Sequence, residues 1–219
     1  MNVLVACEES QTVCIAFRER GHQSFSCDIQ EPSGGYPAWH ILCDVLPLLN
    51  GRCEFRTMDG TKHSILGEWD LIIAHPPCTY LSNAGARWLY SGGELNEERY
   101  RNGLESKRFF MAMLNADCPR VAVENPIPSR IYDLPQYTQI IQPYQFGEPW
   151  SKRTCLWLKG LCELQPTNIL EDYIPYVSSG CYSGTHDSRY KGASRKGGSA
   201  KIRSKTFLGI AKAMSEQWG

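Results

Sequence analysis

Five short runs rich in apolar residues stand along the first 160 positions, and each ends at a polar or turn-forming residue. They cover residues 3–6, 24–27, 71–74, 120–124 and 154–158. Runs this short are typical of strands rather than helices, and strands buried on both faces belong to parallel sheets. The pattern therefore predicts an α/β protein with a mostly parallel sheet.

Apolar residues at helical spacing mark three further segments. Residues 11–20, 97–115 and 206–218 each place apolar side chains three or four positions apart, which gives a helix one apolar face. Ser10 is predicted to cap the first helix, because its hydroxyl can accept a free N–H of the first turn. Gly21 is predicted to end the same helix.

The predicted strands bring four residues to one edge of the sheet. Parallel strands share the direction of their carboxyl ends, so Ala6, Asp28, Ala74 and Glu124 should lie along that edge. Ligands of open α/β sheets bind there. The strand–helix–strand unit that ends in Asp28 is typical of a nucleotide-binding half, whose acid accepts hydrogen bonds from ribose hydroxyls.

Composition and charge argue against a secreted protein, a membrane protein and a metal-binding protein. The 219 residues suffice for one domain with a full core, and 23 basic residues balance 23 acidic ones. There is no signal peptide and no long apolar segment, so we expect a cytoplasmic protein with reduced thiols and no membrane partner. The ten cysteines form no Cys-x-x-Cys, and a proline turn makes His75-x-x-Cys78 a poor chelate. We therefore expect no metal site.

Cys78 is the first candidate for chemistry. Pro76 and Pro77 have no backbone N–H, so they end the strand at 71–74 and hold Cys78 in a stiff turn beyond it. A thiol presented at that edge can act as a nucleophile. Taken alone, a cysteine after such a turn is more often a buried structural residue, but two further motifs favour the catalytic interpretation.

Three motifs, in order along the chain, resemble those of DNA cytosine-5 methyltransferases. Pro-Pro-Cys at 76–78, followed by Ser-Asn-Ala-Gly at 82–85, resembles the nucleophile loop of that family. Val-Ala-Val-Glu-Asn-Pro at 121–126 resembles its second catalytic motif, and Phe-Gly-Glu-Pro-Trp-Ser-Lys-Arg at 146–153 resembles the segment that follows. The resemblance covers roughly residues 1–160 and points to a compact member of the phage or bacterial type, as found in restriction–modification.

The resemblance implies S-adenosylmethionine-dependent methylation of carbon 5 of cytosine through a covalent adduct. Cys78 would add to carbon 6 of the base as a thiolate. Glu124 would supply a proton to ring nitrogen 3, and burial is expected to raise its pKa toward that role. Asn125 would hold the exocyclic groups of the base. Lys152 or Arg153 would orient Glu124, and the spacing of the motif leaves open which of the two serves.

The resemblance also implies a Rossmann-like S-adenosylmethionine-dependent methyltransferase fold, with helices on both faces of the sheet and the cofactor at its carboxyl edge. Asp28 would meet the ribose, Asp44 the adenine amino group, and Glu8 or Glu9 the cationic amino group of the cofactor. Family members carry several glycines in the first turn, whereas this chain has Cys7-Glu8-Glu9-Ser10; a cofactor without phosphate needs no phosphate cradle. The expected cofactor contacts are Ala6, Cys7, Glu8, Glu9, Ser10, Gln11, Asp28, Ile29, Asp44, Val45 and Pro76.

The expected partner is DNA, and the resemblance divides the chain into three parts. Residues 1–160 form the catalytic domain, 161–205 a short basic insert for recognition, and 206–219 a C-terminal helix that packs back on the catalytic domain. Family members carry a large recognition domain where this insert stands, so we expect a short or degenerate target. The long loop 79–96 would supply most base contacts. The expected DNA-binding residues are Ser82, Arg87, Trp88, Arg195, Lys196, Lys201 and Arg203.

Other functions remain open from the sequence. Enzymes that methylate the amino group of adenine or cytosine resemble Asp/Asn-Pro-Pro-aromatic at the same turn, where this chain has His75 and Cys78 at the two ends. A methyltransferase-like protein without turnover, which binds nucleic acid or a defence protein, is a second alternative. Modification of a pyrimidine in RNA or in a free nucleotide is a third.

Overall fold

The computed structural model describes residues 1–176 and 205–219. In chain order the strands are β1 (Asn2–Ala6), β2 (Gln23–Asp28), β3 (His40–Leu42), β4 (Cys53–Arg56), β5 (Lys62–Ile65), β6 (Leu71–Ala74), β7 (Tyr90–Ser91), β8 (Glu94–Leu95), β9 (Val121–Pro126), β10 (Gln139–Ile141), β11 (Trp150–Ser151), β12 (Thr154–Lys159) and β13 (Ile174–Pro175). The helices are α1 (Thr12–Glu19), α2 (Asn83–Ala86), α3 (Glu97–Leu114) and α4 (Leu208–Trp218), with single-turn helices at Pro37–Trp39, Leu46–Leu48, Arg130–Tyr132 and Pro143–Gln145.

A seven-stranded sheet in the order β10-β12-β9-β6-β1-β2-β3 forms the centre of the protein. Strands β3, β2, β1, β6 and β9 are parallel, whereas β12 runs antiparallel to both β9 and β10. From β1 the chain first builds outward through β2 and β3, and then crosses to β6 and β9 on the other side. The strand order therefore reverses between β1 and β6, which is where open α/β sheets bind ligands.

Helices cover both faces of this sheet, as the alternation of side chains along each strand requires. Val3 and Val5 of β1 lie in one buried cluster with residues of α1 and α4, such as Phe17 and Met214. Leu4, between them, lies in a second buried cluster on the opposite face, which α3 covers with Phe110 and Met113. The predicted Rossmann-like α/β fold with a mostly parallel sheet is confirmed.

The start of α1 differs from its prediction. The N-terminal flanking residue of the helix is Gln11, in the left-handed region with φ 59°, and its own side chain makes no capping bond. The Ser10 hydroxyl accepts the N–H of Thr12, as predicted, but at the long distance of 3.5 Å. The shorter capping bonds come from Glu8, whose two carboxylate oxygens accept the backbone N–H of Val13 at 2.6 Å and of Cys14 at 3.2 Å. An acidic side chain is favoured there because it reaches over the turn to the free N–H groups at the start of the helix.

Candidate active site

A cleft of about 1760 Å³ opens at the carboxyl edge of the sheet. Pockets for a single small ligand usually measure about 300–1,000 Å³, so this cleft has room for two ligands side by side. Its wall is formed by residues that directly follow β1, β2 and β6, and by the end of β9. The register pairs Ala6 with both Cys27 and Ala74, and Ala74 with Val123, so the strands end level with one another.

The loop after β6 presents Cys78 to the cleft. The strand ends at Ala74, and Cys78 lies partly buried after the two prolines. Its carbonyl accepts the backbone N–H of Ser82 at 3.1 Å, and the Ser82 hydroxyl in turn accepts the N–H of Gly85 at 3.2 Å. A side chain at Gly85 would collide with the carbonyl of Thr79, so glycine is needed for this tight turn. The backbone hydrogen bonds of this turn therefore fix the position of Cys78.

Glu124 faces the same cleft from β9 and is paired with His75. The distance from His75 Nδ1 to Glu124 Oε2 is 3.3 Å, and the two side chains are only 8% and 16% exposed. Burial alone would raise the pKa of Glu124, but the hydrogen bond from His75 and the charge of Lys152 outweigh it and hold the pKa below its ordinary value. The expectation that burial keeps this carboxyl neutral is therefore wrong for the protein without substrate.

Lys152 and Arg153 both line the cleft. Lys152 acts electrostatically on Glu124, while Arg153 acts on Tyr144 farther along the wall. Asn125 does not line the cleft: its side chain is fully buried and its Nδ2 donates to the carbonyl of Pro126 at 2.7 Å. Neighbouring residues of a strand point to opposite faces, so Glu124 and Asn125 cannot both enter the site.

At the other end of the cleft, Asp28 and Asp44 follow neighbouring strands. Oδ1 of Asp28 accepts the N–H of Gln30 at 2.9 Å, and Oδ1 of Asp44 accepts the N–H of Leu46 at 3.0 Å. These bonds fix both carboxyl groups at the edge of the sheet. Ile29, next to Asp28, leaves 78% of its surface exposed, which gives this end of the cleft an apolar wall.

The glycine-poor first turn forms with unusual backbone. Cys7 has φ 59° and lies in the left-handed region, a conformation that most residues avoid and glycine adopts freely. Glu8, expected as a partner for a cationic ligand, has both oxygens engaged by the first turn of α1, which leaves Glu9 as the acid of this turn that can serve. Glu9 is buried and lines the cleft.

Nine of the expected cofactor residues line the cleft: Cys7, Glu8, Glu9, Ser10, Asp28, Ile29, Asp44, Val45 and Pro76. Ala6 and Gln11 do not. Ala6 is buried in β1, and Gln11 has a structural role, because its side-chain amide bonds both the N–H and the carbonyl of Tyr36. Gln11 therefore holds the loop after β2 against α1.

Three of the residues expected to bind DNA, Ser82, Arg87 and Trp88, line the cleft. The Arg87 guanidinium lies 4.7 Å from the centre of the Trp88 ring, and Trp88 is 60% exposed. The other four, Arg195, Lys196, Lys201 and Arg203, lie outside the described residues.

Arg99 and a pair of tyrosines complete the cleft and were missed from the sequence. Nη2 of Arg99 donates to the carbonyls of Thr79 at 3.3 Å and Gly85 at 3.1 Å, which ties the Cys78 loop to α3. Tyr144 and Tyr173 stack with ring centres 3.9 Å apart on the opposite wall. No sequence pattern marks these residues, because their contacts join segments far apart in the chain.

The Glu8 cap yields a prediction about stability. Glu8→Ala leaves two N–H groups of α1 unbonded in a buried place, so it should lower the free energy of unfolding by about 1–3 kcal/mol. Urea unfolding followed by circular dichroism measures the change. Glu19→Ala, at an exposed position of the same helix, is the matched control and should change stability little. Equal stabilities of the two variants would contradict a capping role for Glu8.

Metal and membrane features are absent from the part of the chain that the structure describes. No group of three or more histidine, cysteine or acidic residues there could hold a metal ion. Among residues 1–176 and 205–219, no helix combines the length and the apolar character needed to cross a membrane.

Comparisons with known proteins identify no family for this chain. No family model and no curated protein matches this chain. One matching solved structure is that of a protein from E. coli provisionally named a DNA modification methyltransferase, encoded within a prophage. It is 14% identical with a TM-score of 0.44, and the match covers 80% of this chain and 53% of the other. This chain thus spans about half the length of that protein.

Proposed function

We propose that this protein is an S-adenosylmethionine-dependent methyltransferase that modifies carbon 5 of cytosine in DNA. The observation that supports the proposal most strongly is the placement of Cys78, just after β6, and Glu124, near the end of the neighbouring parallel strand β9, in one cleft with Asp28 and Asp44. A nucleophile and an acid–base group at one end, and carboxyl groups suited to a nucleoside at the other, are what this reaction needs.

The cofactor end of the cleft fits S-adenosylmethionine chemically. Carboxyl groups at Asp28 and Asp44 can accept hydrogen bonds from ribose hydroxyls and an adenine amino group, and the exposed Ile29 side chain offers an apolar surface to the purine. Glu9 can pair with a cationic amino group. When bound, S-adenosylmethionine supplies an electrophilic methyl group.

The residues at the other end would activate the cytosine. Carbon 5 is a weak nucleophile until the Cys78 thiolate adds to carbon 6, which makes carbon 5 electron-rich. Ring nitrogen 3 takes a proton from Glu124 during this addition. After methyl transfer, a water molecule that enters the cleft takes the proton from carbon 5, the double bond between carbons 5 and 6 re-forms, and the Cys78 thiolate leaves carbon 6. Lys152 beside Glu124 stabilises the carboxylate whenever it has given its proton away.

Aromatic and basic side chains around the two reacting groups support a polymeric substrate. A base stacked in a duplex cannot reach Cys78, so the base must flip out or come from a single strand. Trp88 is exposed on the loop beside the nucleophile, with Arg87 against it, and can occupy the space a flipped base leaves. Arg153 and Lys205 also line the cleft and can contact phosphates.

Methyl transfer can be tested directly with labelled S-adenosylmethionine, duplex DNA, single-stranded DNA and RNA, followed by mass spectrometry of the nucleosides. We expect 5-methylcytosine in DNA. Methylation of RNA alone would show that RNA, and not DNA, is the substrate. N4-methylcytosine or N6-methyladenine would show that an amino group, and not carbon 5, is the target. Cofactor binding without any methylated product would favour a protein that binds nucleic acid without turnover.

Cofactor binding gives a second test. Asp28→Ala or Asp44→Ala should each weaken S-adenosylmethionine binding by about 1–3 kcal/mol, because polar groups of the cofactor lose their partner. Isothermal titration calorimetry measures the change. Asp117→Ala is the control, since Asp117 is exposed before β9, at the opposite edge of the sheet. Binding unaffected by both cleft variants would place the cofactor elsewhere.

A further inference from the structure

His75 is held firmly between the sheet and the cleft. It follows β6 directly, and its backbone N–H donates to the carbonyl of Ala6 at 2.9 Å, which extends the sheet by one residue. Its side chain is 8% exposed, and its Nδ1 lies 3.3 Å from Oε2 of Glu124. From the sequence, His75 was assigned no part in the reaction: it forms a poor chelate with Cys78, and it stands where enzymes that methylate an amino group carry Asp or Asn.

The second ring nitrogen of His75 is unpaired. Nε2 is buried and has no hydrogen-bond partner among the described residues, although the residue lines the cleft. A buried nitrogen without a partner is unfavourable, and such groups concentrate at functional sites. Among the described residues the ring therefore makes one bond, to the acid that the proposed reaction uses, and its other nitrogen is buried without a partner.

Titratable side chains face His75 and Glu124 from several elements. Glu124 faces His75 from β9, Lys152 from the segment before β12, and Glu8 from the turn after β1. The residues of α4 in the small cavity beside the pair, Phe207 at its start and then Ile210 and Met214, carry no charge. Glu124 is therefore the acid in direct contact with the ring, and Lys152 and Glu8 are the other titratable groups that act on the pair.

We propose that His75 is a positioning residue that shares one proton with Glu124 and delivers it, through Glu124, to nitrogen 3 of the target cytosine. This inference rests on the function proposed above. As the Cys78 thiolate bonds to carbon 6, the shared proton passes from Nδ1 of His75 through the carboxylate of Glu124 to nitrogen 3, so that Glu124 ends the step as a carboxylate again. The imidazolium becomes neutral imidazole, and the base gains one proton. When the thiolate leaves, the same proton returns along the same route, so the pair is unchanged after each turnover.

Carboxyl titration tests the pairing without relying on activity. In protein carrying ¹³C-labelled glutamate, with the Glu124 signal assigned from Glu124→Gln, the pKa of Glu124 should rise in His75→Gln, because burial is then opposed by Lys152 alone. His63→Gln, in the β4–β5 hairpin, is the matched control and should leave that titration unchanged. A Glu124 titration that is the same in wild type, His75→Gln and His63→Gln would overturn the pairing.

The pH dependence of methyl transfer tests the delivery of the proton. Wild type should show a bell-shaped profile, with a falling alkaline limb where the pair loses its proton. His75→Gln should shift that limb to lower pH, where Glu124 alone loses its proton, and should turn over about 100-fold more slowly at a nearly unchanged KM for DNA. His75→Asn keeps an N–H near the position of Nδ1, so it should recover part of the rate but not the position of the limb. A falling limb at the wild-type pH in both variants would overturn the proposal.

The two tests separate the possible failures. If wild type methylates no nucleic acid, the proposed function fails, and the carboxyl titration still decides whether His75 and Glu124 share a proton. If wild type methylates cytosine but His75→Gln and His75→Asn keep both its rate and its profile, only the role of His75 fails. Circular dichroism of each variant shows that it folds before either result is used.

Discussion

Replacing Cys78 by serine should abolish methyl transfer while leaving the fold and cofactor binding intact. A hydroxyl is almost never ionised at neutral pH, whereas a thiol forms thiolate readily, so the serine variant cannot add to carbon 6 at a useful rate. We expect the rate to fall by a factor of about 10³ or more. Incorporation of a labelled methyl group into DNA measures the loss.

Cys162→Ser is the matched control for this experiment. Cys162 is an exposed free cysteine that does not line the cleft, so its replacement should leave activity unchanged. Calorimetry with S-adenosylmethionine should give the same affinity for Cys78→Ser as for wild type. Full activity in Cys78→Ser would show that another group attacks the base.

Replacing Glu124 by glutamine should have the second largest effect. The amide keeps the shape of the side chain and can donate a hydrogen bond to nitrogen 3 of cytosine, but it cannot transfer a proton. Loss of positioned proton transfer costs about 10²–10⁴-fold in rate, and we expect a fall in that range. Initial rates at saturating S-adenosylmethionine and DNA measure it.

Glu163→Gln, at an exposed position away from the cleft, is the control for charge and expression. DNA binding by Glu124→Gln should remain close to that of wild type, because the loss concerns the chemical step. An unchanged rate in Glu124→Gln would contradict proton transfer by this residue and, with it, the role assigned to His75.

Much of the fold follows from local patterns in the sequence. Buried strands need uninterrupted apolar side chains, and β1, β6 and β12 have them, so their positions were predictable within one or two residues. The residues at the carboxyl edge of the sheet were also predictable, because neighbouring parallel strands all end at the same edge. The C-terminal helix α4 likewise lies within its predicted range of 206–218.

The parts of the site that could not be predicted depend on contacts between distant segments. The bond between His75 and Glu124 requires β6 and β9 to pair in one particular register, which no local pattern gives. The lowered pKa of Glu124 follows from that bond and from Lys152, so an expectation based on burial alone had the wrong direction. The burial of Asn125, in contrast, could have been predicted from the sequence. Side chains alternate along a strand, so the side chain of Asn125 must point to the other face of the sheet from that of Glu124.

The covalent bond between Cys78 and cytosine is the central claim, and trapping it is the most direct test. DNA of random sequence, with every cytosine replaced by 5-fluorocytosine, removes the need to know the target, and the fluorine blocks the elimination that would release the thiol. With S-adenosylmethionine present, we expect a complex that survives denaturation, and digestion should give a modified peptide carrying the base on Cys78. Methylation of ordinary DNA without any trapped complex, or a complex formed through another residue, would contradict the account.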